Sequence, residues 1–128
     1  MNCKDIFMKT EQFGDLCIYD VLLNYIYPRV FVCEDEFGCK YLFYEMENQK
    51  NIDIWFVTKL SQSTYYDLID KKISIQKVYS KSKIQNLYEI KKIYGDGDNN
   101  DTVEVNVGDN KWISELPKDE VFSEKDVF

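Results

Sequence analysis

The chain of 128 residues contains no histidine and no alanine, and its only arginine is Arg29. Without histidine there is no imidazole base, no Ser-His or Cys-His nucleophile pair and no histidine metal ligand. A single guanidinium leaves little for bidentate reading of phosphates or guanine edges. No segment approaches the ~20 apolar residues of a membrane-spanning helix. The opening stretch MNCKDIFMKTEQFGDL lacks the apolar run of a signal peptide and carries early acids. The expectation is a cytoplasmic protein with no membrane contact. Cys3, Cys17, Cys33 and Cys39 form no CxxC pair and are expected as reduced thiols in that compartment. Cys33 and Cys39, facing each other across a turn, form a pair suited to bridging on oxidation. There is no phosphate-cradling glycine loop, no GxSxG and no thiol beside an obvious base. These absences predict a protein that is not an enzyme and needs no cofactor or metal. Missing alanine, with abundant Lys, Ile, Asn and Tyr, suggests an AT-rich genome such as that of a low-GC bacterium or its phage.

What is present is a core. Hydrophobic residues make up 45% of the chain and aromatics 16%, mostly ten Tyr and eight Phe. Such residues suit pleated, half-buried surfaces, and 128 residues suit one domain. The net charge of −7 is uneven. Residues 1–95 hold 13 acids and 13 bases, whereas residues 96–128 hold 10 acids and 3 lysines. Residues 71–92 contain seven lysines and one acid, Glu89. The result is a basic middle and an acidic end.

Residues 29–61 organise the rest. Val30 to Cys33 is a continuous apolar run, as in a strand covered on both faces. Glu34 to Gly38 reads as a hairpin loop and Asn48 to Asn51 as a second turn. Lys40 to Met46 and Ile52 to Val57 are the strands these turns join, and such short connections make antiparallel neighbours. Before them, Leu16 to Tyr27 reads as a strand bounded by Pro28, preceded by an irregular lead-in or a short strand. Ser61 and Ser74 are helix caps, and the 3.6-residue period behind them predicts helices over about 61–71 and 74–81. Alternation returns from Ile84 to Tyr94 and again at Val103, Val105 and Val107, with turn residues between. Trp112, Ile113 and Leu116 are expected to pack back onto the body. The predicted fold is α+β: an antiparallel sheet of five to seven strands, with two short helices, inserted after the fourth, packed on one face. Residues 1–118 form the single domain and residues 119–128 an acidic, flexible tail.

Few constellations carry chemistry. Asp96, Asp98 and Asn100 match the opening ligands of a calcium loop, but Asp101 replaces its glycine and Val107 its closing glutamate. A solvated hairpin loop is the better reading. Glu45 and Asp53 read as outward-facing strand residues. The lysines of 71–92, with Tyr79, Tyr88, Lys91 and Lys92, have the composition of a backbone-tracking, base-stacking surface, yet the acidic remainder repels a polyanion. Arg29 suits either a carboxylate or phosphate clamp or, preferably, a local ion pair at the sheet edge. Phe122 and Phe128 each follow an acid and a valine, a pattern suited to a docking tail.

The order Pro28-Arg29, the acidic turn Asp35 to Gly38, Tyr41-Leu42, Trp55 and Val57-Thr58-Lys59-Leu60-Ser61 resembles a family of small bacterial domains of unknown function. The resemblance spans roughly residues 19–80 and implies a small α+β domain, with no activity and no catalytic residues. The sequence thus favours a protein-binding module, of the kind found as immunity, antitoxin or inhibitor proteins in bacterial and phage conflict. Its acidity favours a basic protein partner over nucleic acid; self-association through an exposed strand edge is a further expectation. The rivals are a nucleic-acid binder centred on Lys71 to Lys92 and a small-ligand binder or enzyme with a pocket lined by Arg29, Tyr and carboxylates.

Overall fold

Apolar continuity in Val30 to Cys33 has the consequence expected of it: every residue from Val30 to Asp35 is buried. The computed structural model describes residues 5–97 and 100–116. The run lies in β3 (Tyr27–Glu34), inside a seven-stranded antiparallel sheet whose spatial order is its order in the chain. The other strands are β1 (Met8–Thr10), β2 (Gly14–Tyr25), β4 (Lys40–Gln49), β5 (Ile52–Leu60), β6 (Leu87–Ile93) and β7 (Thr102–Val107). β2 carries several register shifts against β3, and such irregularities bend a strand and raise its twist. The two edge strands, β1 and β7, approach each other, so the sheet is a nearly closed barrel.

Period-two alternation divides the apolar residues into two cores. Phe31, Cys33, Phe43, Trp55, Val57 and Ile90 face the inside of the curl, where Met8 and Leu16 join them. Phe31 and Phe43 stack at 5.2 Å between centroids and Phe7 meets Trp55 edge-on at 5.7 Å, geometries that suit the ring quadrupoles. On the opposite side, Val30, Val32, Leu42 and Phe56 cluster with Leu68, Ile75, Val78 and Tyr79. Those last four come from α1 (Gln62–Ile69) and α2 (Ile75–Lys81).

Both serine caps form as the sequence predicts. Thr64 N donates to Ser61 Oγ and Lys77 N to Ser74 Oγ, each at 3.2 Å. Past its last turn α1 ends on Lys71, at φ 60°, whose N–H returns to Leu68 O while Lys72 N–H returns to Asp67 O. These are the closing bonds of a left-handed helix stop. The helices follow the fifth strand and not the fourth, because the short lead-in forms β1. A 3-10 turn over Ile84–Asn86 delays the start of β6. Trp112, Ile113 and Leu116 pack against the second core, and Gln76 Nε2 holds that segment by donating to Ile113 O at 2.9 Å.

The thiol expectations hold for two cysteines and fail for one. Cys33 and Cys39 are free; Cys33 lies opposite Tyr41 in the β3–β4 register, not opposite Cys39. Burial pushes the Cys33 thiol well above its ordinary value. Cys17 is disulfide-bonded, against the expectation of four reduced thiols. No helix among the described residues is long and apolar enough to cross a membrane. The tail 119–128, with Phe122 and Phe128, and two residues of the acidic loop, Asp98 and Asn99, lie outside the described residues.

Candidate functional site

Antiparallel connection places the β2–β3 and β4–β5 turns at one end of the sheet and the β3–β4 turn at the other. Each end gathers polar and aromatic groups.

At the first end, the inward face of the curl runs out of apolar residues and ends in carboxylates. Asp53 is two residues before Trp55 on β5 and shares its face, and only 7% of it is exposed. It points inward, contrary to the outward placement expected from sequence. Asn48 Nδ2 donates to its Oδ1, and Tyr94 Oη donates to its Oδ2 at 2.5 Å. Tyr94 is held protonated well above the ordinary tyrosine range, first by burial and then by this bond. Glu45 also turns inward. It accepts from Arg29 Nη1 at 2.9 Å and from Tyr27 Oη at 2.6 Å. Arg29 Nη1 also donates to Tyr27 Oη, its Nε donates to Tyr25 O at 3.1 Å, and its guanidinium carbon lies 3.7 Å from the Tyr27 ring centre. Arg29 is therefore engaged in the local ion pair that the sequence favoured. Burial and the bond to Glu45 push Tyr27 up to about 12.

These groups surround a cleft of about 580 Å³. Tyr27, Tyr94, Asn48, Lys50 and Asp53 line it, with Phe7 and Trp55. Its volume falls within the range typical of small-molecule sites. Beside it, Ile26 forms the tip between β2 and β3. Tyr25 pairs directly with Tyr27, which leaves Ile26 alone in the turn at φ 70° and 84% exposed.

At the opposite end, Asp35 organises the β3–β4 turn. Its Oδ1 accepts from Phe37 N and Cys39 N, both at 2.9 Å, and its Oδ2 accepts from Tyr41 Oη at 3.0 Å. Glu34 and Lys40 form an ion pair at 2.9 Å across the strands that lead into it, which raises the Lys40 ammonium. Lys40 Nζ also sits 4.6 Å from the centre of Tyr19 and 5.1 Å from that of Tyr65. Tyr65 donates to Asp20 Oδ2 and meets Tyr66 at 5.5 Å. The outer members of this group remain in solvent: Phe37 is 87% exposed, Tyr66 54% and Tyr19 53%.

The remaining residues singled out from sequence do not converge. Tyr79 is fully buried, and its hydroxyl donates to Phe56 O at 2.7 Å with Leu42 O at 3.0 Å as a second acceptor. Its place in a stacking surface is thus corrected: it is a core residue that ties α2 to the β4–β5 pair. Tyr88 packs edge-on against Phe13 at 4.9 Å. Lys91 stands opposite Glu104 on β7 and Lys92 opposite Asp53 on β5, so acids face both lysines. Lys92 Nζ lies 5.0 Å from the centre of the Tyr94 ring, at the edge of the cleft. Among the described residues no group of three or more Cys, Asp or Glu is arranged to hold a metal ion. The grouping of Tyr19, Tyr65 and Tyr66 with Lys40 is not legible in the sequence because its members are remote in the chain.

A family model matches residues 4–127. The chain belongs to DUF6575, a family of unknown function. The resemblance seen in residues 19–80 therefore extends over nearly the whole chain at the level of an uncharacterised domain. No curated protein and no solved structure matches it.

Proposed function

We propose that this DUF6575 protein is a non-enzymatic protein-binding module that docks a partner at the β3–β4 end. One observation carries the reading: Tyr19 and Tyr66 flank Tyr65 beside Lys40 and are exposed, at the same end of the sheet where Phe37 is exposed in the β3–β4 turn braced by Asp35 and the Glu34–Lys40 pair. Single exposed apolar residues are ordinary, but tyrosines in mutual ring contact beside a braced turn are what interface centres are made of. Rigidity before binding lowers the ordering cost of association. In this reading the two helices cover one sheet face and serve as scaffold. The net charge of −7 suits a partner with a basic surface, since the field speeds encounter. An immunity, antitoxin or inhibitor role in bacterial or phage conflict, in the cytoplasm, is the setting this mode of action fits.

The test is affinity capture from the native host, followed by calorimetry with the purified partner. Truncating Phe37→Ala and Tyr66→Ala should each weaken binding about tenfold or more, the range of interface anchors. Failure to capture a specific partner, together with turnover of a small molecule, would sink the reading. Retardation of nucleic acid at low salt that depends on Lys91 and Lys92 would replace it with the nucleic-acid alternative.

A further inference from the structure

The cleft at the other end of the sheet is independent of that docking patch and has its own chemistry. Asp53 is its least expected component. Burying a carboxylate is unfavourable unless its oxygens are satisfied, and a carboxylate has about four acceptor positions. Asn48 and Tyr94 occupy two of them. No lysine or arginine among the described residues reaches ion-pair distance of Asp53. Asp53 nonetheless lines a cleft of about 580 Å³ and keeps acceptor capacity for an occupant.

Charge decides the class of occupant. The charged groups that line the cleft are Asp53 and Lys50; Lys92 stands opposite Asp53 in the register, and behind Tyr27 lie Glu45 and Arg29, both bonded to its hydroxyl. A cationic ligand would meet Lys92 opposite Asp53 in the register and Lys50 on the wall. An anionic ligand would meet Asp53 itself, while the one guanidinium is already committed to Glu45. Strong charge of either sign is therefore opposed. What remains is directional hydrogen bonding beside aromatic faces. Asp53 accepts; Asn48 and Gln49 both donate and accept; Lys50 donates. Phe7, Tyr27, Trp55 and Tyr94 supply aromatic lining. A neutral ring with hydroxyls on its rim and C–H groups on its faces matches both properties.

We propose that the cleft binds a neutral saccharide ring, with hydroxyls donating to Asp53 and the C–H face laid against the aromatic side chains that line it. The probes are free neutral monosaccharides and disaccharides titrated into the full chain, followed by amide and indole NMR shifts. A binding sugar should move the Trp55 indole and the Asn48 and Gln49 side-chain amides and leave Tyr19 and Tyr66 in place. Asp53→Asn, which removes the charge and half the acceptor capacity, should weaken binding about tenfold. Lys50→Ala, at an exposed rim position outside the core, should weaken it severalfold and keeps the test valid if Asp53→Asn unfolds. Three results would overturn the proposal: no shift at saturating sugar, unchanged affinity in both variants, or equal shifts with inorganic phosphate or tetramethylammonium. Phe37→Ala, which tests the docking patch, should leave sugar affinity unchanged, so the two readings fail separately.

Discussion

Among the described residues Ile26 has the backbone conformation that suits its side chain least. A β-branched side chain at φ 70° is a steric outlier, and the left-handed region costs about 1–2 kcal/mol for a residue with a Cβ. Ile26 recovers little of this by burial, because it is almost fully exposed. Ile26→Gly should therefore stabilise the fold by about 1 kcal/mol, less what glycine adds to the disorder of the unfolded chain. A urea midpoint that falls on substitution would show that the side chain contributes contacts not apparent here. Gly108 presents the reverse case. Its backbone angle is ordinary, but a Cβ there would lie 2.9 Å from Tyr88 N and 3.0 Å from Leu87 C and from Phe56 Cε1. Two of these neighbours are backbone and cannot swing away. Gly108→Ala should cost roughly 1–3 kcal/mol through overpacking, measured as a lower urea midpoint with the slope unchanged. Neither residue declares itself in the sequence. Isoleucine carries no turn signal, and Gly108 reads as an ordinary loop glycine when its real constraint is the backbone beside it.

Among elements, the β3–β4 hairpin rests most on one side chain. Asp35 accepts two backbone donors within the turn and the Tyr41 hydroxyl beyond it. Asp35→Ala would leave the buried Tyr41 hydroxyl and two part-buried amides without their acceptor, at a cost of about 1–3 kcal/mol. Asp35→Asn keeps one oxygen for the Phe37 and Cys39 amides and should be milder. Hydrogen exchange at those two amides should accelerate in Asp35→Ala and much less in Asp35→Asn. Equal exchange in all three proteins would mean that the strands alone hold the turn. This hairpin was legible in advance because its information is local: an acidic loop, a glycine at φ 84° and apolar runs on either side. The two serine-capped helices were legible for the same reason. The inward turn of Glu45 and Asp53 was not. Local alternation assigns residues to two faces, but only curling of the sheet, a product of distant pairings, decides that the Trp55 face becomes an interior. The cleft inherits that limit, since Tyr27 of β3, Asp53 of β5, Phe7 before β1 and Tyr94 after β6 meet only once those strands are in register.

At the scale of the whole molecule, tyrosine hydroxyls tie strands, turns and helices to one another, which gives the fold a characteristic weakness at high pH. Tyr41 bonds Asp35, Tyr65 bonds Asp20, Tyr94 bonds Asp53, Tyr27 bonds Glu45, and Tyr79 bonds the β4–β5 backbone. Burial, reinforced by the acceptor carboxylate in the first four, raises all five above the ordinary tyrosine value of 10.0. For Tyr27 the rise is to about 12. The sign follows from proton counting. Between the unfolded and folded values the native state binds more protons than the unfolded chain, so stability falls as pH rises. The contribution is whole below pH 10.0 and is lost as pH passes about 12 for Tyr27, and higher for Tyr41, Tyr65 and Tyr94. Each of the four carboxylate pairs would then set a phenolate against a carboxylate, in a chain already at −7. Alkaline titration should consequently be cooperative: the tyrosinate absorbance of these residues should appear together with loss of near-ultraviolet circular dichroism, and not before it. Replacing Tyr27 by Phe, which cannot ionise and leaves Glu45 to Arg29, should flatten the fall in stability between pH 10.0 and about 12. If all ten tyrosines ionise near their ordinary value while the dichroism holds, the hydroxyl ties are not what joins the sheet to its helices and loops.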